Sequence, residues 1–208
     1  MSHNAGQDLP DQPPATQLVM IREDLASIPH LELPDGYHAR SLRAGTTDEQ
    51  GWEHIIRESF GLKDISFKKH MEADEPYKPE RVLFICDEAG VSAATASAWY
   101  RPQWNEDTGY LHMVGIVPEQ GGKKLGYYAS LAALHQMLRE GRTRAVLNTD
   151  DFRVAAVKTY LNLGFLPQLD APDHLERWSK LATLLNRRLI AVDPSGNEVV
   201  LDPSESVE

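Results

Sequence analysis

Cysteine occurs once in 208 residues, which excludes an internal disulfide and any zinc site built on cysteine pairs. Long apolar runs are also missing. The longest, Val82-Leu83-Phe84-Ile85-Cys86, is far short of the roughly 20 residues needed to span a bilayer, so no membrane partner is expected. The eight histidines are scattered without H-E-x-x-H spacing, so no metal site is expected. Residues 1–14 contain no apolar stretch of signal-peptide type, and nothing calls for an oxidising compartment; the expected location is the cytoplasm. Basic surplus is absent too, since 21 bases face 31 acids for a net charge of −10.

That acidity belongs to the ends. Residues 1–36 hold six acids and one base, and residues 193–208 hold five acids and no base. The stretch between carries 20 of each and is neutral, with no basic stripe to attract nucleic acid.

Composition divides the chain into an N-terminal extension over 1–36, a body over 37–169 and a C-terminal segment over 170–208. Residues 1–17, rich in Pro, Gln, Asp and Asn, are expected to be disordered. Tyr37 to Leu42 reads as the first strand. Thr47-Asp48-Glu49-Gln50 has the order of a capping box, and Trp52, Ile55, Ile56 and Phe60 then recur at helical spacing. Strands are predicted over Arg81–Cys86, Val91–Tyr100 and Tyr110–Val117. A helix is predicted over Lys124–Glu140, with Tyr127, Leu131, Leu134 and Leu138 as its stripe and Ala129, Ala132 and Ala133 for close packing.

A strand over Arg144–Thr149 follows, then a helix capped by Asp151 and ending before Gly164, then a short strand over Phe165–Leu169. A last helix presents Leu175, Trp178, Ala182 and Leu185, and Asp193-Pro194-Ser195-Gly196 turns a C-terminal hairpin. The fold class is α/β or α+β, a central mixed sheet flanked by helices. Cys86, inside an apolar strand, reads as a buried hydrophobe.

Chemistry concentrates in Val114-Gly115-Ile116-Val117-Pro118-Glu119-Gln120-Gly121-Gly122-Lys123-Lys124-Leu125-Gly126. A strand runs into a glycine loop and a helix opens at once. The first N–H groups of a helix lack internal acceptors and carry partial positive charge, so the arrangement suits a phosphate or pyrophosphate; taken alone, such a loop is more often a solvated turn. It is no Walker loop: Gly121 and Gly126 have the spacing, but Tyr127 and Tyr128 stand where Lys and Ser/Thr are required. The G-x-G-x-x-G fingerprint is absent as well.

Two blocks together resemble the GNAT superfamily of acetyl-CoA-dependent N-acetyltransferases. One is the V-x-P strand end followed by the (Q/R)-x-x-G-x-(G/A) loop, here Ile116-Val117-Pro118 and Gly121 to Gly126. The other is the N-x-x-A-x-x-x-Y-x-x-x-G-F helix, matched by Arg153 to Phe165 with Tyr160 and Gly164 in place. Gly121 replaces the usual Gln or Arg, Lys124 the middle Gly, and Arg153 the common Asn. The resemblance covers roughly residues 37–169 and implies a GNAT-like fold with the C-terminal helix and hairpin as an extension.

It also implies a cosubstrate, acetyl-CoA, and an amine acceptor, a small molecule or a peptide. The pantetheine arm would pair with Val114, Ile116 and Val117, where Gly115 suits a bulge or close approach. The pyrophosphate would rest on Gly121, Gly122, Lys123, Lys124, Leu125 and Gly126, with Arg153 or Lys158 near a CoA phosphate. Tyr160 would serve the departing thiolate, since a phenol keeps its proton at neutral pH. His112 is the candidate base for the amine, with Glu106 and Asp107 as alternatives. Trp99, Tyr100 and Trp104 suit an acceptor wall or core packing equally. A non-enzymatic acyl-CoA-binding module of the same fold is the alternative, and a homodimer stays open.

Overall fold

The computed structural model describes residues 16–203. Nine strands form one sheet: β1 (Leu18–Arg22), β2 (Tyr37–Ser41), β3 (Val82–Asp87), β4 (Ser92–Trp99), β5 (Thr108–Ile116), β6 (Arg144–Thr149), β7 (Leu166–Gln168), β8 (Leu189–Val192) and β9 (Glu198–Leu201). Their order is β2-β3-β4-β5-β6-β1-β7-β8-β9. Neighbours are antiparallel except β5–β6 and β7–β8, so the sheet is mixed, as expected. The four α-helices are α1 (Asp48–Phe60), α2 (Leu125–Arg139), α3 (Val154–Asn162) and α4 (His174–Leu184).

The period-two alternation of a strand sorts β3 between two cores. Val82, Phe84 and Cys86 join Trp52, Ile55 and Ile56 of α1, whereas Leu83 and Ile85 join the core that holds α2, Val157 and Tyr160 of α3, and Trp178 of α4. Cys86 is fully buried, a hydrophobe as expected. On β4, Ala94, Ala96 and Ala98 meet Ala129, Ala132 and Ala133 of α2, and these small faces let helix and sheet approach closely.

Several local expectations are corrected. The first strand is β1, pairing antiparallel with both β6 and β7, so the chain's early segment is wedged into the middle of the sheet. Its run LVMIR is buried on both faces and lacks the alternation that marks a half-exposed strand. The disorder expected over 1–17 falls almost wholly outside the described residues; Thr16, which is described, donates to Asp173. Thr47 precedes α1 but makes no side-chain cap. The Asp48 N–H is accepted by Thr46 Oγ1, and Glu49 reaches back to the Gly45 N–H. Asp151 does not cap α3, whose N-terminal flank is Arg153; Asp151 is drawn away into a pair with Arg177 at 2.9 Å. On α4, Trp178 and Ala182 are buried but Leu175 is half exposed, and on α2 Leu138 is exposed while Met137 takes the inward place.

Asp48 fastens the start of α1 to β2. It accepts two hydrogen bonds from Arg40, at 2.7 and 2.9 Å, and others from the Arg43 backbone and guanidinium. Burial raises the Asp48 carboxyl pKa, but the hydrogen bonds from Arg43 and Arg40 outweigh it and hold the group well below the usual carboxylate range. The folded value lies under the unfolded one, so this stabilisation is complete above about pH 4 and is lost as pH falls through the folded value. Asp48→Asn is expected to cost about 2–3 kcal/mol at pH 7, less than a fully buried pair because Arg43 is solvent-exposed. Urea unfolding checks it, and the gap from the parent chain should narrow below pH 4.

Candidate active site

Strand β5 loses its neighbour halfway along. It pairs in parallel with β6 only from Thr108 to Tyr110, opposite Arg144 to Val146. Beyond that, β6 continues its ladder with β1, whereas Leu111 to Ile116 run on with no strand on that side among the described residues. The result is a V-shaped opening in the sheet.

A bulge sits at the opening. Thr95 of β4 faces Gly115 and Ser97 faces His112, so Met113 and Val114 together oppose Ala96, and Met113 adopts φ 49°. The bulge expected near Gly115 therefore lies one or two residues earlier. What comes close to Gly115 is helix α1, where a ligand was expected: a Cβ there would lie 2.9 Å from Ser59 Oγ, 3.0 Å from Ile56 and 3.1 Å from Ile55. Without a side chain at 115, α1 lies directly on the strand. Ser59 then donates to the Ile116 carbonyl and accepts from the Ile116 N–H, both at 2.7 Å. Ligand pairing at Ile116 must displace Ser59, which the strand's sequence gives no sign of.

The opening holds two cavities. A cleft of about 480 Å³ is lined by Ser59, Val114, Ile116, Gly126, Phe152 and Thr159, among others. A chamber of about 310 Å³ is lined by Phe60, Tyr110, His112, Asn148 and Asp150, among others. Val114, Arg153, Ala156 and Tyr160 line both, so they form the shared wall. Ala129 and Leu125 hold α2 against the sheet, and the Cβ that Gly126 lacks would come 2.8 Å from Ile116 Cδ1. A side chain at 126 would therefore make the end of Ile116 shift.

At the mouth of the cleft, the loop before α2 takes an anion-binding form. Gly122 has φ 81° and Lys124 φ 59°, both left-handed. The motif's usual glycine at 124 suits that conformation, and lysine there bears a strain of about 1–2 kcal/mol. Among the described residues, none accepts a hydrogen bond from the N–H of Gly122, Lys123, Lys124, Leu125 or Gly126. Five donors are left at one helix entrance. The Gly121 N–H, by contrast, is already given to Pro118.

The other expected residues divide. Tyr160 on α3 is nearly buried, and its hydroxyl makes no hydrogen bond to a described residue. Burial pushes its phenol pKa above the ordinary value, so the proton stays on. His112 faces the chamber between Trp99 (6.0 Å) and Tyr110 (5.3 Å). Burial, with the Arg101 charge adding to it, pushes the imidazole down to about 4, so it is neutral at pH 7. Arg153 is turned to Asp150 at 3.1 Å and lies 4.2 Å above the Phe60 ring.

Five candidates lie elsewhere. Lys123 Nζ donates to Tyr37 and Gln120, so its charge is directed off the cleft. Val117 turns into the α1 core, its N–H bonded to Ala93. Lys158 is exposed on α3 and lines neither cavity. Glu106 lies in a separate depression with Tyr100 and Trp104, and Asp107 binds Thr108 and Thr143. Trp99 is core, its Nε1 bonded to Asp74. Sequence reasoning missed Ser59, Phe152 and Asp150; the Asp150-Asp151 pair at a strand end was the one local signal for the last. Among the described residues no three of His, Cys, Asp or Glu converge, and no helix is long and apolar enough to cross a membrane.

A test of the β5–α1 contact follows. Gly115→Ala should lower stability by about 1–3 kcal/mol through overpacking and should loosen the Ser59 clasp. Chemical denaturation reads the first effect, and hydrogen exchange at the Ile116 amide, faster in the variant, reads the second.

Comparison with known proteins agrees with this geometry. The chain is 28% identical over 166 residues to the mycothiol acetyltransferase of Nocardia farcinica, which covers 74% of this chain and 54% of that one. The chain thus spans about half the length of the curated relatives it matches. Among solved structures, a GCN5-related N-acetyltransferase from Kribbella flavida superposes with a TM-score of 0.54 at 19% identity, over 74% of this chain and 55% of that chain. The ribosomal-protein-S18-alanine N-acetyltransferase of Escherichia coli does so at 0.50 and 17%, over 83% of this chain and 98% of that one. These structural likenesses speak for the fold. The model of the acetyltransferase (GNAT) family matches residues 50–165, more than half of the sequence, and with the split strand and the glycine-loop helix entrance it places the chain in that family.

Proposed function

We propose that the protein transfers the acetyl group of acetyl-CoA to the primary amine of a small molecule or peptide by direct attack. The observation that carries this reading is Tyr160, a protonated phenol with a free hydroxyl in the wall between the two cavities. The cleft suits the donor. Its apolar lining matches a pantetheine arm, and the five free amides at Gly122 to Gly126, with Lys124 beside them, match a diphosphate. The chamber on the other side of the wall suits the acceptor. Lys158, exposed on α3, remains free to meet a CoA phosphate outside the cleft, whereas Arg153 is assigned to shaping the junction.

In the reaction the amine nitrogen forms a bond to the thioester carbon and the carbon–sulfur bond breaks. The acceptor enters as an ammonium with a pKa near 10.4 for a lysine-like amine, so it must release two protons. One ends on the CoA sulfur and the other in water. Tyr160 donates a hydrogen bond to the sulfur as its charge grows, which is worth most in a site screened from solvent. Neutral His112 can accept a hydrogen bond from the attacking amine, but a base of pKa about 4 passes the proton on to water and does not keep it. A backbone N–H on the open edge of β5 stabilises the oxyanion, that of Ile116 once Ser59 has released it.

Acetyl-CoA should raise the melting temperature of the protein, and thiol release should follow when amines are added; stabilisation without thiol release across an amine panel would favour a binding module. Tyr160→Phe should lower kcat by about 10²-fold or more, with the KM for acetyl-CoA within threefold and the melting temperature nearly unchanged, because no internal hydrogen bond is lost. The pH profile of kcat/KM for the acceptor should rise toward the ammonium pKa without an inflection near 6.5, since His112 has already lost its proton above about pH 5.

A further inference from the structure

The smaller chamber has a charged group that the transfer chemistry leaves unused. Asp150, at the end of β6, is part of its lining. One carboxylate oxygen, Oδ2, accepts from Arg153 Nε at 3.1 Å. Among the described residues nothing bonds to the other, Oδ1. A carboxylate offers about four acceptor sites, so most of this one's capacity is unspent. Its side chain is a quarter exposed, which leaves it reachable from the chamber yet partly shielded from water.

The surroundings select among ligands. His112 is neutral and Tyr110 keeps its phenol proton, so Arg153 is the one cation in the lining, and its face is already spent on the Phe60 ring at 4.2 Å. Tyr110 and His112, with ring centres 5.3 Å apart and planes tilted by 35°, give the chamber an aromatic wall. The volume, about 310 Å³, is at the lower end of the ~300–1,000 Å³ typical of small-molecule sites. A folded protein segment does not fit such a space, whereas a compact molecule with one flat side does.

We propose that Asp150 is the cation anchor of the acceptor chamber: Oδ1 holds the ammonium of a compact, flat-sided primary amine whose ring lies against Tyr110 and His112. This assignment rests on the acetyl-transfer reading for its meaning, but it concerns binding and not the proton transfers. Asp150 sets which acceptors enter and where their nitrogen rests before it loses its protons. Arg153 competes weakly for the same carboxylate and holds it in position.

The test is calorimetric titration of the full chain at pH 7 with 2-phenylethylamine, a cation there, and with 2-phenylethanol, its neutral counterpart. Acetyl-CoA is titrated separately. The parent chain should prefer the amine by about tenfold, the scale of one charge-assisted hydrogen bond. Asp150→Asn should bring the ratio near one. Arg153→Gln should raise it, because the carboxylate is released from its competitor; this second variant decides the matter if Asp150→Asn fails to fold. A ratio unchanged in Asp150→Asn, not increased in Arg153→Gln, or near one in the parent chain overturns the anchor. Loss of acetyl-CoA binding with the amine preference intact would instead sink the transfer reading and leave the anchor standing.

Discussion

The rest of the structure depends on the point where β5 parts from β6. A strand with no neighbour exposes backbone donors and acceptors, and burying one unpaired costs about 1–3 kcal/mol. The fold answers this in three adjoining places. The ladder on the β4 side absorbs an extra residue at Met113 and Val114, α1 descends onto Gly115, and Ser59 clasps both polar groups of Ile116. Each answer shapes the cavities, because the bulge turns the strand at the shared wall and Ser59 lines the cleft. The opening is therefore a built feature of the sheet and not a gap left by poor packing.

The far wall is held with comparable care. Helix α3 ends at Asn162, and two residues on Gly164 takes a φ of 79° that only glycine adopts without strain while the Phe165 N–H returns to the Tyr160 carbonyl. Arg22 of β1 donates to the Leu163 carbonyl at the same helix end. Phe165 meets the Tyr160 ring edge-on at 6.2 Å. The orientation of Tyr160 thus draws on its own helix and on a strand from the beginning of the chain. That strand also separates β6 from β7, which are parallel to one another, and α3 is the crossover between them.

Much of this was legible in the residues. Strands β3 to β6 and all four helices lie within a few residues of where the sequence places them: α1, α2 and α4 carry an apolar stripe, whereas β3 is a compact apolar run buried on both faces. The glycine loop was legible because a turn into a helix favours glycine, although Lys124 takes a left-handed φ without being one, and Tyr160 was legible through the resemblance alone. Strand β1 was not, since a four-residue apolar run beside a polar tail has no period to read. Nor was the loss of the Asp151 cap: its partner Arg177 is 26 residues away. Lys123 and Arg153 looked like phosphate ligands by proximity to the motif, and side chains from β2 and α1 redirect them.

The residues by themselves determined the mixed α/β class, the glycine turn after Pro118 and the helix that carries Tyr160, since these follow from local backbone preference and periodic burial. Tertiary structure alone decided that β5 and β6 separate after Tyr110, that two cavities share one wall, and that Asp150 stands in one of them. Those features come from contacts between segments distant in the chain, where the hydrogen-bond needs of one strand are met by α1 and those of another by β1. No short stretch of sequence carries that information, because neither partner of such a contact constrains the other until the fold has brought them together.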